Sequence, residues 1–173
     1  MIRYLFITCF VVFFDQISKF YAKSSMLEKN IDVDIIGSLL RFRYIENPGI
    51  VFGIQVNNPI YYSVIIISVL IIVYIYHLMK ILFPQKNSNI GLIALALIMG
   101  GAIGNIIDRL FVVFDLFSYR GVVDFISIGI GENFRFPYIF NIADTSVTIG
   151  ISLFMYYNYI QNKISHNGEA KEI

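Results

Sequence analysis

The sequence predicts an all-α membrane protein with four transmembrane helices and a small loop subdomain that contains β structure. First, 57% of the 173 residues are hydrophobic and only 14% are charged, whereas soluble domains carry about 25% charged residues. Second, four apolar segments approach the roughly 20 residues that a helix needs to cross a bilayer. Third, the polar residues of these segments gather toward one end of each. A soluble globule, a disordered chain and a disulfide scaffold are therefore excluded.

The four expected spans follow the apolar runs of the chain. They cover about residues 4–22, 60–83, 90–110 and 141–160. Pro59 precedes the second span, where a proline favours the start of a helix. Arg3 followed by an apolar run is also typical of a secretory signal. No small-x-small cleavage site follows, however, and Asp15 interrupts the run, so we expect the first helix to be retained.

Four spans place both termini on one side of the membrane and two long loops, residues 23–58 and 111–140, on the other. The alternation of apolar and polar residues over positions 39–45 predicts a strand. Asn47, Pro48 and Gly49 predict a turn. We therefore expect a small amphipathic sheet at the membrane surface.

The chain is expected to form a single integral-membrane domain, residues 1–165, followed by a polar tail, residues 166–173. The loop side carries more lysine and arginine than the terminal side. That count would place the large loops in the cytoplasm. Several of these cations lie far from a helix end or within the polar region described next, so the charges alone leave the orientation open.

Polar residues of a kind that membranes reject occur at one end of the expected spans. A charged group near the centre of a span costs about 2.5–3.5 kcal/mol on insertion scales. The residues at the loop ends are Asp15, Lys19, Asn105, Asp108, Arg109, Asn141 and Asp144, and Asp124 joins them from the second loop. The opposite ends of the spans carry few such residues by comparison, and this asymmetry predicts a site at one membrane interface.

Helical spacing allows alternative roles for several of these residues. Asp15 and Lys19 are four positions apart, so they share a helix face and form either an ion pair at the headgroups or part of the site. Asn105 and Arg109 share the same spacing and can face one polar cavity. The alternative is that the arginine side chain extends away from Asn105 to the membrane interface.

The start of the fourth span and the glycines of the third predict local structure. Asn141 is expected to cap the fourth helix, with Asp144 at its third position, as in a capping box. Gly100, Gly101 and Gly104 include a small-xxx-small pattern, which favours close helix packing over direct chemistry.

Few of the usual catalytic pairings are possible here. Cys9, His77 and His166 are remote from the polar end of the spans, so neither a Ser–His nor a Cys–His pair is expected. A metal site made of aspartates alone has no ligand-spacing pattern in its favour. A net charge of +1 provides no field for nucleic acid.

Two of the aspartates suit acid–base chemistry. Carboxyl groups held close together share one proton, so one acts as a base toward water and the other as an acid toward a carbonyl oxygen. Asp124 lies in an apolar strand, which favours its protonated form, and Asp144 lies near a helix N-terminus, which favours its carboxylate. Water would then attack a peptide carbonyl directly.

These motifs resemble those of the lipoprotein signal peptidase family, also called signal peptidase II. The matching segments are residues 15–19 (DQISK), 47–53 (NPGIVFG), 100–110 (GGAIGNIIDRL), 121–125 (GVVDF) and 140–144 (FNIAD). The resemblance implies an aspartic endopeptidase of the bacterial inner membrane with four spans and both termini cytoplasmic. Its site would face the periplasm or the cell exterior and cleave before the diacylglyceryl-modified cysteine of a prolipoprotein.

The resemblance also assigns residues and partners. It implies that Asp124 and Asp144 are the catalytic pair. Positions that bind substrate or support the pair would be Asp15, Lys19, Asn47, Gly49, Gly104, Asn105, Asp108, Arg109, Asn141 and Ala143. No cofactor or metal is implied. The expected partners are diacylglyceryl-modified prolipoproteins, membrane lipid and inhibitory globomycin-type cyclic peptides, bound by a monomer.

The chain departs from the family pattern at three places. Ile50 and Val51 stand where the family often has two alanines, and Thr145 replaces a serine. Residues 127–137 suggest a longer, variable flap.

Two other classes of protein stay open on the residues alone. Acidic groups within a membrane are common in proton relays, so a small proton- or ion-conducting protein is the main alternative. The polar residues cluster at one membrane face, however, and do not form a chain across the bilayer. In an assembly or anchoring protein, the glycines would be packing faces and the acids partner contacts.

Overall fold

The computed structural model describes residues 1–26, 32–48, 58–130 and 134–169. The helices in these ranges are α1 (Ile2–Met26), α2 (Asn58–Leu82), α3 (Asn89–Val113) and α4 (Ile142–Glu169). The strands are β1 (Val33–Ile36), β2 (Leu40–Asn47), β3 (Val122–Ile130) and β4 (Phe134–Arg135), which form one antiparallel sheet in the order β1-β2-β3-β4. A mostly helical fold with a small sheet is thereby confirmed.

Three of the helices are long and apolar enough to cross a membrane. These candidate spans among the described residues are Ile2–Ser25, Tyr61–Leu82 and Asn89–Val113. Large apolar side chains on α1 and α2 are exposed, including Phe6, Phe10, Ile66 and Leu70. Such a surface suits lipid rather than water. The helix α4 is outside this set, since its serine, threonine, asparagine and tyrosine residues lower its mean hydropathy.

The helix α3 packs against each of the other three helices. A Cβ added to Gly100 would lie 2.8 Å from the Cβ of Val11 on α1, and one added to Gly101 would collide with the carbonyl oxygen of Ala143 on α4. The predicted role of these glycines in close packing is thereby confirmed. Thr8 adds a hydrogen bond from its hydroxyl to the carbonyl oxygen of Ala96, at 3.0 Å.

The helices α3 and α4 run antiparallel over most of their length. Ala143 lies against Gly101, and further along the pair a Cβ added to Gly150 would lie 2.8 Å from the carbonyl oxygen of Ala94. Near the start of α3, a Cβ added to Gly91 would lie 2.9 Å from Tyr157. The start of α4 therefore lies at the same end of the bundle as the end of α3.

The sheet lies at this end and is fixed to the helices by an apolar cluster and by an ion pair. Ala22 of α1 packs with Tyr119, Val123 and Phe125. Lys23, one residue further along α1, bonds the carboxylate of Glu46 and donates to the carbonyl oxygen of Ser118 at 3.1 Å.

The strands differ from the expected pattern in two respects. The strand β2 continues to Asn47, which pairs with Val122, so Asn47 belongs to the strand. The predicted turn at residues 47–49 runs beyond the described residues, which end at Pro48 here. Residues 127–137, expected as a flap, contain the end of β3 and all of β4. The guanidinium of Arg135 donates to the carbonyl oxygens of Ser127 at 3.3 Å and Ser38 at 3.2 Å, which ties this hairpin to the rest of the sheet.

Candidate active site

Asp124 lies on β3, and its position is set from three sides. The strand pairs with β2, where Ile45 faces Asp124. The side-chain amide of Asn141 donates to Oδ1 of Asp124 at 2.7 Å, and that of Asn47 approaches Oδ2 at 3.4 Å. The preceding residue, Val123, donates its backbone N–H to Oδ2 of Asp108 at 3.0 Å. Asp124 is thus buried, and both of its oxygens face amide donors.

Asp144 lies in the first turn of α4 and is held by a capping box. The backbone N–H of Asp144 donates to Oδ1 of Asn141 at 2.9 Å, and the backbone N–H of Asn141 donates to Oδ2 of Asp144 at 3.2 Å. These reciprocal bonds satisfy two N–H groups that a helix start leaves without partners. The predicted capping arrangement is confirmed. Asn105 on α3 adds a bond to Oδ1 of Asp144 at 2.8 Å.

The structure brings Asp124 and Asp144 into one hydrogen-bond network through two asparagines. The side-chain amide of Asn141 reaches Oδ1 of Asn105 at 3.1 Å as well as Asp124. Asn105 in turn donates to Asp144. Lys19 completes the network with a 2.9 Å bond to Oδ1 of Asn105. A cation and two amides therefore connect the carboxyl groups, and Asn141 is fully buried between them.

Burial and the negative charge of Asp144 raise the pKa of Asp124 to about 7. The charge of Lys19 and the hydrogen bonds from Asn47 and Asn141 act in the opposite direction, but they do not outweigh desolvation. Asp124 therefore retains a proton at neutral pH to an extent that an ordinary aspartic acid does not. A protonated carboxyl group joined through two asparagines to a second carboxyl group is consistent with the acid–base pair that the sequence predicts.

A buried ion-pair cluster lies beneath the two carboxyl groups. Nζ of Lys19 contacts Asp15 at 2.8 Å and Asp108 at 3.0 Å, and all three side chains are fully buried. Gln16 donates to both acids, at 3.2 Å and 3.1 Å. The alternative of an ion pair at the headgroups is wrong, because α3 covers the pair and supplies a second carboxylate to it.

Each acid of this cluster holds one backbone N–H beside a carboxyl group of the site. Asp108 accepts from Val123, the neighbour of Asp124. Asp15 accepts from Ala143, the neighbour of Asp144, at 2.8 Å. The cluster therefore fixes β3 and the start of α4 relative to α1 and α3.

Small residues allow this close approach. A Cβ added to Gly104 would lie 2.5 Å from Oδ2 of Asp15 and 3.3 Å from the Cβ of Ala143. Ala143 itself is fully buried. Gly104 and Ala143 therefore position the site through packing, as the glycine pattern predicts.

Arg109 lies one helical turn beyond Asn105 and donates to the carbonyl oxygen of Asn105 at 3.1 Å. It is half-buried, so it shares the polar region with Asn105 and is not extended alone to the interface. Gly49, together with Ile50 and Val51, lies outside the described residues.

Two contributions were missed at the level of sequence. Gln16 connects Asp15, Asp108 and the carbonyl oxygen of Gly104, although its place beside Asp15 was the only hint of a role. Glu46 accepts both from Lys23 and from the backbone N–H of Arg120, at 2.9 Å in the latter case. It thereby secures the end of β2, from which Asn47 reaches Asp124.

The described residues contain no group of three or more histidine, cysteine, aspartate or glutamate side chains arranged to hold a metal ion. The fold and the site define a helical membrane protein that joins a buried aspartate, Asp124, and a half-buried one, Asp144, in one hydrogen-bond network at one end of its helices. Comparison with known proteins identifies the family to which it belongs. The profile of the family described as signal peptidase (SPase) II matches residues 7–160, and the chain belongs to this family. The predicted family, a group of lipoprotein-processing proteases, is confirmed.

Individual relatives agree with this membership. The chain is 34% identical to the lipoprotein signal peptidase of Borrelia turicatae (strain 91E135), across 95% of this chain and 94% of that protein. It is 34% identical to that of Clostridium tetani (strain Massachusetts / E88), across 82% and 83%. A bacterial membrane enzyme structure obtained by the in meso method aligns with a TM-score of 0.73 and 28% identity, covering 94% of this chain and 90% of that one.

Proposed function

We propose that this protein is an aspartic endopeptidase that removes the signal peptide from diacylglyceryl-modified prolipoproteins by cleaving before the lipidated cysteine. Asp124 and Asp144 are the catalytic pair of this proposal. The observation that carries it is the network in which Asn141 donates to Asp124 and Asn105 donates to Asp144, with Asn141 bonded to Asn105. Family membership and the raised pKa of Asp124 support the same assignment.

The mechanism divides the roles of the two carboxyl groups. Asp144, with its two oxygens facing N–H donors, acts as the base and takes a proton from water as the oxygen attacks the scissile carbonyl carbon. Asp124 donates its proton to the carbonyl oxygen. When the tetrahedral intermediate collapses, the C–N bond breaks, Asp144 gives its proton to the leaving nitrogen, and a hydroxyl proton returns to Asp124. The two groups thus end as they began, without a covalent intermediate.

The remaining predicted residues support this pair in the proposal. Asn105 and Asn141 orient the two carboxyl groups, and the cluster of Asp15, Lys19 and Asp108 fixes the backbone on which they stand. Gly104 and Ala143 allow the close approach of the helices. Asn47 and Arg109 face the substrate, and we place Gly49 beside Asn47 on the family pattern.

In the membrane, we propose four spans, with α4 as the fourth. This is supported by the antiparallel course of α4 along α3, itself a candidate span. Both termini would be cytoplasmic, and the site and sheet would lie at the periplasmic or outer face of the inner membrane. Residues 1–165 would form one domain and residues 166–173 a polar cytoplasmic tail.

The proposed partners follow from the family. The substrate is a diacylglyceryl-modified prolipoprotein that reaches the site from the lipid, and globomycin-type cyclic peptides are the expected inhibitors. The protein would act as a monomer without a cofactor.

A cleavage assay tests the function directly. The protein is purified in detergent and given a lipid-modified preprolipoprotein, and wild type is compared with the variants Asp124→Asn and Asp144→Asn. We expect both variants to remain folded and to lose cleavage. Asp34→Asn is the matched control, because Asp34 is an exposed aspartate of β1 whose ion pair within the described residues is with Arg41 of the sheet.

Two results would contradict the proposal. Release of the signal peptide at the wild-type rate by both variants would show that the pair does not catalyse the reaction. A wild-type protein that fails to cleave but dissipates a proton gradient in vesicles would favour the proton-conducting class.

A further inference from the structure

Two buried polar atoms lack a hydrogen-bond partner in the described part of the chain, and both lie near the candidate active site. They are the hydroxyl oxygen of Tyr61 and Nε of Arg109. Tyr61 is only 9% exposed. Buried polar groups are nearly always paired in folded proteins, so a pair of orphans at one place indicates that a ligand group belongs there.

The two orphans come from neighbouring helices at the same level of the bundle. Tyr61 lies in the first turn of α2, Arg109 lies near the end of α3, and the two helices pack against each other. The hydroxyl of Tyr61 lies within electrostatic range of both Arg109 and Asp108. This region adjoins the catalytic pair, because Arg109 donates to the backbone of Asn105, whose side chain donates to Asp144.

The chemistry of the two groups restricts what they bind. A guanidinium N–H only donates, and a phenol has one O–H to donate. Two unpaired donors on neighbouring residues suit an oxygen that accepts and does not donate. In the substrate of the proposed function, such oxygens are the ester carbonyls of the diacylglyceryl group and the peptide carbonyls of the signal sequence.

We propose that Tyr61 and Arg109 form a carbonyl-binding subsite, in which the Tyr61 hydroxyl donates to a carbonyl oxygen of the substrate beside the scissile bond. This inference rests on the proposed function and adds Tyr61 to the residues that determine substrate affinity. The family pattern does not include this position among the residues matched above. The subsite acts on binding and takes no part in proton transfer.

The test uses Tyr61→Phe, which removes only the hydroxyl, and Tyr62→Phe as the matched control. Tyr62 is the next residue along α2 and is 49% exposed. Steady-state cleavage is measured in detergent with a synthetic lipopeptide whose cysteine carries an S-diacylglyceryl group. We expect Tyr61→Phe to raise KM about fivefold to tenfold with kcat almost unchanged, as the loss of one hydrogen bond implies. Tyr62→Phe should leave both constants at the wild-type values.

A second lipopeptide separates the two sources of the carbonyl. Its cysteine carries an S-dialkylglyceryl group, which has ether oxygens and no ester carbonyl. If Tyr61→Phe raises KM for the diacyl lipopeptide alone, the subsite binds an ester carbonyl. If KM rises equally for both, the subsite binds a peptide carbonyl. An unchanged KM for both lipopeptides would overturn the inference.

Stability and binding measurements distinguish this inference from a structural role and from the proposed function. Because the Tyr61 hydroxyl has no hydrogen-bond partner among the described residues, Tyr61→Phe should not lower Tm, and a marked loss of Tm with unchanged KM would contradict the subsite. The Kd of the lipopeptide is also measured on Asp144→Asn with and without Tyr61→Phe. Weaker binding in the double variant supports the subsite even if cleavage assays show that the catalytic assignment is wrong.

Discussion

The side-chain amide of Asn141 donates a 2.7 Å hydrogen bond to Asp124. The same side chain caps α4 through its carbonyl oxygen, which accepts from the backbone N–H of Asp144. One asparagine therefore orients the acid of the proposed pair and fixes the helix turn that carries the base. A serine or an aspartate could cap the helix, but neither offers the amide donor to Asp124.

We expect Asn141→Ser to separate these two tasks. Serine is a good N-cap, so the variant should be more stable than Asn141→Ala by about 1 kcal/mol. It lacks the amide donor, so kcat should fall strongly in both variants. Thermal unfolding in detergent and the lipopeptide assay measure the two effects. Equal Tm values for the serine and alanine variants would show that capping is not a task of this side chain.

The pKa of Asp124 predicts the alkaline limb of the pH profile. Burial and the charge of Asp144 raise this pKa to about 7, and the proposed mechanism requires the protonated form. Activity should therefore fall as pH rises through about 7, because Asp124 then loses its proton. Measurement of kcat/KM between pH 5 and pH 9, a range of roughly two units on either side, follows this ionisation. Activity that continues to rise from about pH 7 to the alkaline end of this range would contradict the role of Asp124 as the acid.

Substitution of Asn47, which contacts Asp124, should shift the alkaline limb of the pH profile in a defined direction. The hydrogen bond from Asn47 favours the carboxylate of Asp124 and so lowers its pKa. Asn47→Ala removes the donor, and we expect the alkaline limb to move to higher pH. The opposite displacement, to lower pH, would show that Asn47 does not act on Asp124 in this way.

Substitution within the buried cluster of Asp15, Lys19 and Asp108 should destabilise the fold, although these residues take no part in the proposed proton transfers. Asp108→Ala removes one carboxylate from Lys19 and leaves the N–H of Val123 without its acceptor. We expect the free energy of unfolding to fall by about 3–5 kcal/mol, as for other broken buried pairs. Asp108→Asn keeps an acceptor for Val123 and should recover part of this loss.

The matched control for this prediction is Asp34→Ala, which breaks an exposed aspartate–arginine pair on the sheet. Its Tm should equal that of the wild type, since exposed pairs contribute little. Similar Tm values for Asp34→Ala and Asp108→Ala would show that the buried cluster does not stabilise the fold.

The contact between α3 and α4 predicts unequal effects for two Gly→Ala substitutions. An added Cβ at Gly101 meets the backbone carbonyl of Ala143, which cannot move alone, whereas one at Gly91 meets the side chains of Leu82 and Tyr157. We expect Gly101→Ala to cost about 1–3 kcal/mol and to reduce cleavage, because Ala143 precedes Asp144. Gly91→Ala should cost less, since side chains rotate away. Equal losses of Tm in the two variants would show that the contact between Gly101 and Ala143 is not tighter than the contacts of Gly91.

The sequence reveals much of the site because a bilayer makes charges conspicuous. Asp15, Asp108 and Asp144 stand out within apolar runs, since a charge there requires a compensating partner. Their clustering at one end then predicts a shared location. Asn141 and Asp144 were likewise predictable as a local pair, because a capping box has a fixed spacing.

Contacts that depend on the tertiary fold could not be predicted from such sequence patterns. The N–H groups of Val123 and Ala143 belong to the backbone, so no residue type marks them as anchors. Gln16 has the same appearance as any polar residue at an interface until α3 is placed beside it. The continuation of α4 from residue 160 to Glu169 was also not predicted, because polar residues dominate that segment and end the apolar run.

The order of the chain has a consequence for biosynthesis. The bond between Ala143 and Asp15 joins residues 128 positions apart, and it connects the first helix to the last. During translation, Asp15 enters the membrane long before the segment that carries Asp144 has left the ribosome. On the proposed assignment, the catalytic pair is incomplete until the segment that carries Asp144 has been made, so a chain that ends before it should not cleave other proteins of the same membrane.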